Sequence, residues 1–521
     1  DAGTQAALES ATTPDATVQW AYPYDGTAFP RGIGAPLLMW NNGAASDVYY
    51  VHVTSGTFEL KAFVNAPPPS QYAFDAQVWD AFAASTSGDA EIEVARWDGA
   101  SATVVHDQHD TIAPGSMRGT IYYWAINTGR VMRITPGAAT ADDFLGGGVP
   151  CPSCHTVSAD GSRLIMNTSR APSNTWPDEQ SVSFDLLSNS NAFAGLQTQG
   201  ASPYALAGVS PDGKYLLENF APLRGGIGST AGIIDTASGA PVAATGADGL
   251  AAWMPAFSPD GKLFVYVTGN AGDLHAMDWD GSSNPPQATN DRLLVAAGSD
   301  GNTKYINNPT VSPDHKWVIY QRSNGYGSLG GLIGNLYIAS VETPGVEIAL
   351  DGLNGTNYPF AAGARDQNLN FEPTFAPVAS GGYFWVVFHS RRTWGNALTG
   401  QAFCGEGCGT KQLWVAAIDE APQGGADPSH PAFHLPGQDT TTLNMRGYWA
   451  LPPCKADGQS CASGTDCCGG YCDPSSDGGA GVCKSDSGGG CSHEGDHCDT
   501  SSDCCGNVQC INHVCSQAPP H

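Results

Sequence analysis

A Ser-Pro-Asp-Gly turn recurs along the middle of this chain at nearly constant spacing. Its aspartates, Asp160, Asp212, Asp260 and Asp314, are 52, 48 and 54 residues apart. The copies are HTVSADGSRLIMN (155–167), AGVSPDGKYLLEN (207–219), PAFSPDGKLFVYV (255–267), PTVSPDHKWVIYQ (309–321) and a degenerate PTFAPVASGGYFWVVFH (373–389). Apolar strands flank a turn in which Asp accepts backbone N–H groups and Gly supplies a positive φ. This period, with about four short strands per unit, is the signature of a β-propeller.

The turns, together with strands such as DLHAMDWDGSSN (273–284), resemble the repeat of TolB-like β-propellers. The resemblance covers residues 119–440 and implies an all-β ring. The segment GTIYYWAINTGRVMRITPG (119–137) reads as the outer strands of a blade, and MRGYWAL (445–451) as its inner strand. Sharing one blade between both ends of the ring removes an exposed sheet edge. We therefore predict six blades within residues 116–452, with five or seven as alternatives.

The first 115 residues have the period-2 alternation of half-buried strands, as in DVYYVHVTSGTFELKAFV (47–64). Trp20, Trp40 and Trp79 are spaced like core anchors. Residues 1–115 are predicted to form a β-sandwich that resembles an immunoglobulin or fibronectin type III domain. His106 and His109, in HDQHDT, are interpreted as part of a polar loop, with a metal site as the alternative.

Two cysteine-rich modules are predicted at residues 453–485 and 486–521. Each has six cysteines with one adjacent pair: Cys454, Cys461, Cys467, Cys468, Cys472 and Cys483, then Cys491, Cys498, Cys504, Cys505, Cys510 and Cys515. Zinc is disfavoured because adjacent cysteines rarely both bind one ion. The spacing alone allows 15 connectivities per module. The modules resemble knottin or Dickkopf-type inhibitor cystine knots, which implies first–fourth, second–fifth and third–sixth pairing. A protease-resistant spacer and a surface- or glycan-binding module remain open as their role.

Charge and cysteine content restrict the partners and the compartment. The chain has 22 Lys and Arg against 50 Asp and Glu, a net charge of −28. Such a surface repels nucleic acid and anionic lipid, and the absence of an 18-residue apolar run predicts no membrane span. Self-association stays open. Sixteen cysteines indicate an oxidising compartment, which is extracellular or periplasmic.

The sequence CPSCH (151–155) has the C-x-x-C-H spacing that attaches a c-type haem. Cys151 and Cys154 would form the thioethers, and His155 would bind the iron. The alternative is a Cys151–Cys154 disulfide beside a structural His155. Since His155 precedes the innermost strand of its repeat, we expect it near the mouth of the propeller channel. The remaining cysteines, Cys404 and Cys408, are predicted to form a disulfide that tightens a Gly-rich loop.

A second iron ligand would come from another blade. Met254 aligns with the haem motif itself and is the first candidate. His430, His434 and Met445 are further candidates. Asp278 and Asp280, in DWDGSSN, hint at Ca²⁺, but the turn of the repeat explains this spacing as well.

Channel chemistry offers another set of candidates. Glu372 aligns with Cys154 and Met254, and His389 ends the second strand of its repeat. Arg391 and Arg392 follow His389 and form a rare cationic patch. This patch would bind a carboxylate or a haem propionate, or it balances charge on a loop.

Three functions follow from these patterns. The order of sandwich, C-x-x-C-H motif, propeller and cysteine-rich tail resembles a group of exported bacterial propeller proteins. The first hypothesis is an extracellular monohaem protein in electron transfer. The second is a non-enzymatic surface or matrix binding protein. The third is a polysaccharide-active propeller that uses Glu372 and His389.

Overall fold

The computed structural model describes most of the first 455 residues and a few short parts of the tail. The described residues are 1–56, 58–144, 153–169, 179–186, 193–195, 206–218, 232–269, 272–328, 331–360, 366–399, 410–422, 425–455, 458–461, 471–473, 481–484, 498, 500–501, 504, 509–511 and 514–516. Within this part of the chain, no helix has the length and apolar character that crossing a bilayer needs.

The N-terminal region is the predicted β-sandwich, with two helices in addition. Its elements are α1 (Ala2–Glu9), β1 (Gln19–Tyr22), β2 (Ala28–Arg31), β3 (Leu37–Asn41), β4 (Val48–Thr54), β5 (Glu59–Asn65), β6 (Ser70–Ala73), α2 (Ala76–Ser85), β7 (Gly88–Trp97) and β8 (Ala102–Ser116). One sheet has the order β1-β3-β6, and the other has the order β2-β8-β7-β4-β5. Strand β2 pairs with β8 in parallel, and the other pairs are antiparallel.

The three tryptophans predicted as core anchors are all buried. Trp79 belongs to α2, where it lies on the buried face of the helix with Phe82 and Ala83. Asp75 caps this helix by accepting from the backbone N–H groups of Gln77 and Val78. His106 and His109 lie within β8, so the expectation of a loop there is wrong.

Six four-stranded sheets follow, and they form the six predicted blades. The strands are β9 (Thr120–Ala125), β10 (Arg130–Ile134) and β11 (Asp142–Asp143); β12 (Ser153–Val157), β13 (Arg163–Ser169), β14 (Glu179–Asp185) and β15 (Phe193–Gly195); β16 (Gly208–Val209), β17 (Tyr215–Glu218), β18 (Gly232–Asp235) and β19 (Pro241–Val242); β20 (Ala252–Phe257), β21 (Leu263–Thr268), β22 (Leu274–Asp280) and β23 (Gln287–Val295); β24 (Tyr305–Val311), β25 (Trp317–Ser323), β26 (Gly334–Ser340) and β27 (Glu347–Ala349); β28 (Asn370–Phe375), β29 (Tyr383–Ser390), β30 (Gln412–Asp419) and β31 (Phe433–His434); and β32 (Asn444–Ala450). Short helices occupy Ile126–Thr128, Asp351–Asn354 (α3) and Asp366–Asn368.

Blades 1 to 5 are β12–β15, β16–β19, β20–β23, β24–β27 and β28–β31. Blade 6 has the order β11-β10-β9-β32, so its inner strand comes from the far end of the ring. This is the predicted closure. Gly119 fits here because a Cβ would lie 2.3 Å from the carbonyl oxygen of Ala450, and its φ is +101°.

The repeated turns have the hydrogen bonds that their sequence predicts. In blade 3, Asp260 Oδ1 accepts from Ser258 Oγ at 2.7 Å and from the backbone N–H of Lys262 at 3.1 Å. Gly261 has φ +70°. Asp260 also contacts the next blade, because its Oδ2 lies 2.6 Å from His315 Nδ1. The turn therefore closes one hairpin and also joins two blades.

We expect Asp260→Ala to lower the free energy of unfolding more than Asp314→Ala does. Asp314 makes the same bonds within its own turn, from Ser312 Oγ at 2.5 Å and the N–H of Lys316 at 3.2 Å. The Asp260 variant also loses the solvent-exposed contact with His315, so its loss should exceed that of the Asp314 variant by up to about 1 kcal/mol. Urea denaturation of both variants measures the difference. Equal losses would show that the contact between blades contributes nothing.

The sandwich packs against blade 5. The Tyr22 hydroxyl accepts from the backbone N–H of His434 at 3.0 Å. Asn396 Nδ2 donates to the carbonyl oxygens of Trp40 and Ser70, both at 3.0 Å. A single apolar cluster runs from the sandwich tryptophans to Trp385 and Trp414 of blade 5, and all these rings are buried.

The tail has short strands held by disulfides. These strands are β33 (Ser460–Cys461), β34 (Tyr471–Asp473), β35 (Gly481–Lys484), β36 (Gln509–Ile511) and β37 (Val514–Ser516). Disulfides join Cys498 to Cys510 and Cys504 to Cys515, which are the second–fifth and third–sixth pairs of the second module. Cys454, Cys461 and Cys483 are also disulfide-bonded. Cys467, Cys468, Cys491 and Cys505 lie outside the described residues, and only the backbone of Cys472 is described.

Candidate functional site

The inner strands of the ring share a sharp local bend. Five of them place a residue other than glycine at positive φ in the same register, with φ between +47° and +57°: Leu206, Met254, Asn308, Glu372 and Arg446. Pairing with the second strand shifts at this point in blades 3 to 6. In blade 1 the shift lies between Ser153 and Thr156. Each residue other than glycine at positive φ raises the free energy of the folded state by about 1–2 kcal/mol. The bulge beside it changes the direction in which the neighbouring side chains point.

The bend positions line a cavity on the ring axis. Its volume is about 80 Å³, and Met254, Asn308, Glu372 and Arg446 contribute to its wall. Pockets for drug-sized molecules span about 300–1,000 Å³. The axial cavity therefore has room for water or for one small chemical group.

Glu372 is the carboxylate of this site. Ser328 Oγ donates to Glu372 Oε1 at 3.3 Å. Glu372 Oε2 lies 3.8 Å from His389 Nδ1 and 4.0 Å from Arg446 Nη1. The structure thus brings together Glu372 and His389, which were predicted only as separate channel residues.

Three cations surround this pair. Lys411 Nζ donates to Ser328 Oγ at 3.3 Å, and the guanidinium of Arg391 lies 5.0 Å from the Phe371 ring centroid. We call Glu372, His389, Arg391, Lys411 and Arg446 the axial cluster. Lys411 and Arg391 are buried, at 9% and 1% exposure.

Burial and charge decide the protonation of the axial cluster. The pKa of His389 is well below its usual value, first because of burial and then because of Lys411, Arg391 and Arg446. Burial lowers the pKa of Arg391 to about 10, which leaves it protonated at neutral pH. Burial also lowers the pKa of Lys411, and Glu372 opposes this shift. The cluster therefore combines three basic side chains with one carboxylate and a neutral imidazole.

Several buried atoms of the axial cluster have no hydrogen-bond partner among the described residues. They are Glu372 Oε2, both ring nitrogens of His389, and Nε and Nη1 of Arg391. Buried polar atoms in folded proteins are nearly always paired with protein, water or ligand. These atoms therefore mark a place where a further polar group belongs.

His155 lies at the junction of blades 1 and 6. Its Nε2 is 3.3 Å from the carbonyl oxygen of Tyr122, and its ring meets the edge of the Tyr448 ring at 5.2 Å. Burial, assisted by Arg446, lowers the pKa of His155 to about 4. The ring is 1% exposed and enclosed by protein, so the residues as packed do not fit a haem on His155. Cys151 lies outside the described residues, and only the backbone of Cys154 is described.

The candidates for a second iron ligand all have other partners. Met254 lines the axial cavity, and its sulfur accepts from the backbone N–H of Asn308 at 3.1 Å. Met445 Sδ lies 3.7 Å from Lys411 Nζ. His430 Nε2 lies 3.0 Å from Asp419 Oδ1. His434 is buried on the sandwich side, where its ring stacks on Trp394 at 3.9 Å.

His434 gives a pH-dependence of stability that the structure makes testable. Burial lowers its pKa to about 3, whereas an unfolded histidine titrates near 6.5. Between these values only the unfolded chain takes up the proton, so the free energy of unfolding falls as pH decreases. From pH 7.5 to pH 5.0, His434→Gln should lose about 2 kcal/mol less stability than the native protein.

Urea denaturation at the two pH values measures this difference. His430→Gln is the matched control because the His430 side chain is 26% exposed. A pH-dependence that is the same in the native protein and the His434 variant would contradict the burial argument.

The arginines after His389 and the acidic turn at Asp278 both make hydrogen bonds within the protein. Arg392 is buried, and its Nη2 donates to the carbonyl oxygen of Leu353 at 2.9 Å, so it ties blade 5 to the end of blade 4. Arg391 and Arg392 are therefore buried side chains rather than exposed charges. Asp278 accepts from Arg292 Nη1 at 2.7 Å and from Asn290 Nδ2 at 3.0 Å, so it pairs with the outer strand of its own blade.

Of the cations in the axial cluster, the sequence indicated Arg391 but not Lys411 or Arg446. Ser328 and Lys411 lie in segments without repeat character, so no alignment places them near Glu372. Alignment could have identified Arg446, because Arg446-Gly447 occupies the position in blade 6 that Glu372-Pro373 occupies in blade 5. Cys404 and Cys408 lie outside the described residues.

Comparisons with known proteins give similarity of fold only. No protein-family profile matches the sequence, and no curated protein matches it. TolB from Acinetobacter baumannii is 15% identical, with 70% of this chain and 80% of TolB covered and a TM-score of 0.40. Hydrazine synthase from Kuenenia stuttgartiensis is 15% identical over 57% of this chain and 69% of the other, with a TM-score of 0.30.

A chain of the nidogen/laminin complex is 12% identical, with 64% of this chain and all (100%) of the other covered and a TM-score of 0.39. At these values the similarities carry no argument about activity or ligand. The functional conclusion therefore rests on the residues of the site.

Proposed function

We propose that this protein is an exported, non-enzymatic binding protein that holds a carboxylate group in its axial channel. The observation that carries the proposal is the excess of cations in the axial cluster, of which Arg391 and Lys411 are buried. Arg391, Lys411 and Arg446 outnumber the one carboxylate, Glu372, in a chain whose net charge is −28. A buried, uncompensated positive charge is costly, and an anionic ligand would neutralise it.

The size of the cavity limits how the ligand binds. About 80 Å³ accommodates a carboxylate but not a whole sugar or peptide. The ligand would therefore insert its acidic end, while the rest of the molecule stays at the channel mouth. Guanidinium groups suit this task because their planar N–H fork matches the two carboxylate oxygens. The disulfides of the tail fit an oxidising compartment.

Isothermal titration calorimetry with acetate and acetamide tests the proposal. The two probes have nearly the same shape and differ in charge. We expect acetate to bind with a Kd of about 1 mM or tighter, to bind more weakly as salt rises, and to compete with larger carboxylates. Equal binding of acetamide, or binding of neither probe, would contradict the proposal.

Haem-dependent electron transfer remains a second candidate because the C-x-x-C-H motif is specific. A bound c-type haem would supply one-electron redox chemistry. As packed, His155 does not fit this role, so the candidate rests on the sequence motif alone. A Soret band and a covalent mass increment of one haem would support it. An unmodified polypeptide mass with a Cys151–Cys154 disulfide in a non-reducing peptide map would exclude it.

Polysaccharide cleavage is less well supported. Most glycosidases use two carboxyl groups about 5–9.5 Å apart. The axial cluster, as far as its residues are described, offers Glu372 with the neutral His389 and three cations. This set binds an acid better than it protonates and attacks a glycosidic bond.

A further inference from the structure

A second cavity lies between the sandwich and the propeller, far larger than the axial one. Its volume is about 750 Å³, within the range of about 300–1,000 Å³ typical of small-molecule sites. Its aromatic lining combines residues from both regions: Trp20, Tyr24, His106, Tyr358 and Phe360. Interfaces between domains are favoured places for such sites. We call this cavity the aromatic cleft.

The rings of the aromatic cleft hold each other in place. Tyr24 stacks on Tyr358 with centroids 3.6 Å apart and 22° between the planes. Trp20 stacks on His106 at 4.8 Å and 15°. Trp20 and Tyr24 are buried, while the other three rings are partly exposed. Because these rings are already ordered, a ligand would bind without an additional ordering cost.

Polar groups around the aromatic cleft are acceptors and amides. Gln19, Asp25, Asp351 and Asn357 are exposed and belong to the lining, and no lysine or arginine occurs among the described lining residues. Carboxylates accept hydrogen bonds, and carboxamides both donate and accept. This set is complementary to a ligand with several hydroxyl groups.

Anions and organic cations suit the aromatic cleft less well than a neutral ligand does. The carboxylates of Asp25 and Asp351 repel an anion. An organic cation is disfavoured because the guanidinium of Arg392 already lies over the Tyr358 ring, 5.3 Å from its centroid. His106 does not add a charge either, since burial lowers its pKa.

We propose that the aromatic cleft binds a neutral saccharide. The apolar C–H faces of sugar rings pack on the partly exposed rings of His106 and Phe360. Their hydroxyl groups bond to the exposed polar side chains Asp25, Asp351, Gln19 and Asn357. This site is distinct from the axial cluster, so the protein would hold an acidic group on the ring axis and a neutral sugar at its flank.

The test is titration of the full-length protein with cellobiose, maltose and xylobiose, followed by intrinsic fluorescence and calorimetry. At least one of these neutral disaccharides is expected to bind at millimolar concentration. Phe360→Ala should weaken binding about tenfold through loss of a ring contact, and Asn357→Ala should weaken it as well. The control is Tyr215→Ala, a partly exposed ring in blade 2 that lies 5.9 Å from Trp279.

The outcomes separate this site from the axial one. Arg446→Gln should leave disaccharide binding unchanged, so failure of the carboxylate proposal does not affect this test. Three results would overturn the saccharide proposal: no binding of any of the three disaccharides, tighter binding of choline than of all three, or an equal loss in Tyr215→Ala and Phe360→Ala.

Discussion

A chain shortened to end at Leu443 is expected to lose cooperative thermal unfolding, because it lacks the inner strand of blade 6. Strand β32 pairs with β9 from Asn444 to Ala450. Trp449 and Ala450 are buried at 3% and 0% exposure. Without this strand, blade 6 exposes an open sheet edge on the channel, and the ring is no longer closed.

A chain that ends at Pro453 is the matched control. It keeps β32 and the bond from the Leu451 N–H to the carbonyl oxygen of Ala159 at 2.8 Å, but it lacks the cysteine-rich tail. We expect it to unfold cooperatively near the melting temperature of the full protein. Differential scanning calorimetry of both chains measures the contrast. Similar, cooperative unfolding of both would contradict closure by β32.

The second large effect concerns binding at the axial cluster. Arg446→Gln removes one of the cations that face Glu372 and should weaken acetate binding by about tenfold to a hundredfold, as expected for loss of a charged hydrogen bond. Arg292→Gln is the control, because it removes the same charge from the outer strand of blade 3, where Arg292 pairs with Asp278 at 2.7 Å.

Glu372→Gln should have the opposite effect. This variant keeps the shape of the side chain and removes the competing negative charge, so acetate should bind more tightly. It also leaves Lys411 and Arg446 without their carboxylate, which destabilises the unliganded protein. Acetate should therefore raise the melting temperature of Glu372→Gln more than that of the native protein. Weaker acetate binding in this variant would point to a cation or metal as the natural ligand instead.

Much of the fold could be predicted from the sequence because the residues of each repeat themselves specify the turn between its first two strands. Ser258, Asp260 and Gly261 behave as their sequence predicts, and the closing strand was identified from its position after the fifth repeat. Helix α2 was missed, although Asp75 as N-cap and the i, i+3, i+4 spacing of Trp79, Phe82 and Ala83 indicate it.

The site was less predictable than the fold. Alignment of the repeats placed Met254 and Glu372 at one level of the ring, but it did not show the positive φ at which the strands bend towards the axis. A single-residue bulge does not alter the alternation of apolar residues enough to be read from sequence. Lys411 and His389 lie close to Glu372 because the whole ring curves. No local sequence pattern predicts this proximity.

The central claim is that an anionic group occupies the axial channel among these cations. Crystals grown with bromoacetate test it most directly, because anomalous scattering locates the bromine and the adjoining carboxylate. The account predicts one strong anomalous peak on the ring axis, with the carboxylate oxygens within hydrogen-bonding distance of Arg446 and Lys411. Anomalous peaks confined to the outer surface, with only water in the channel, would contradict it.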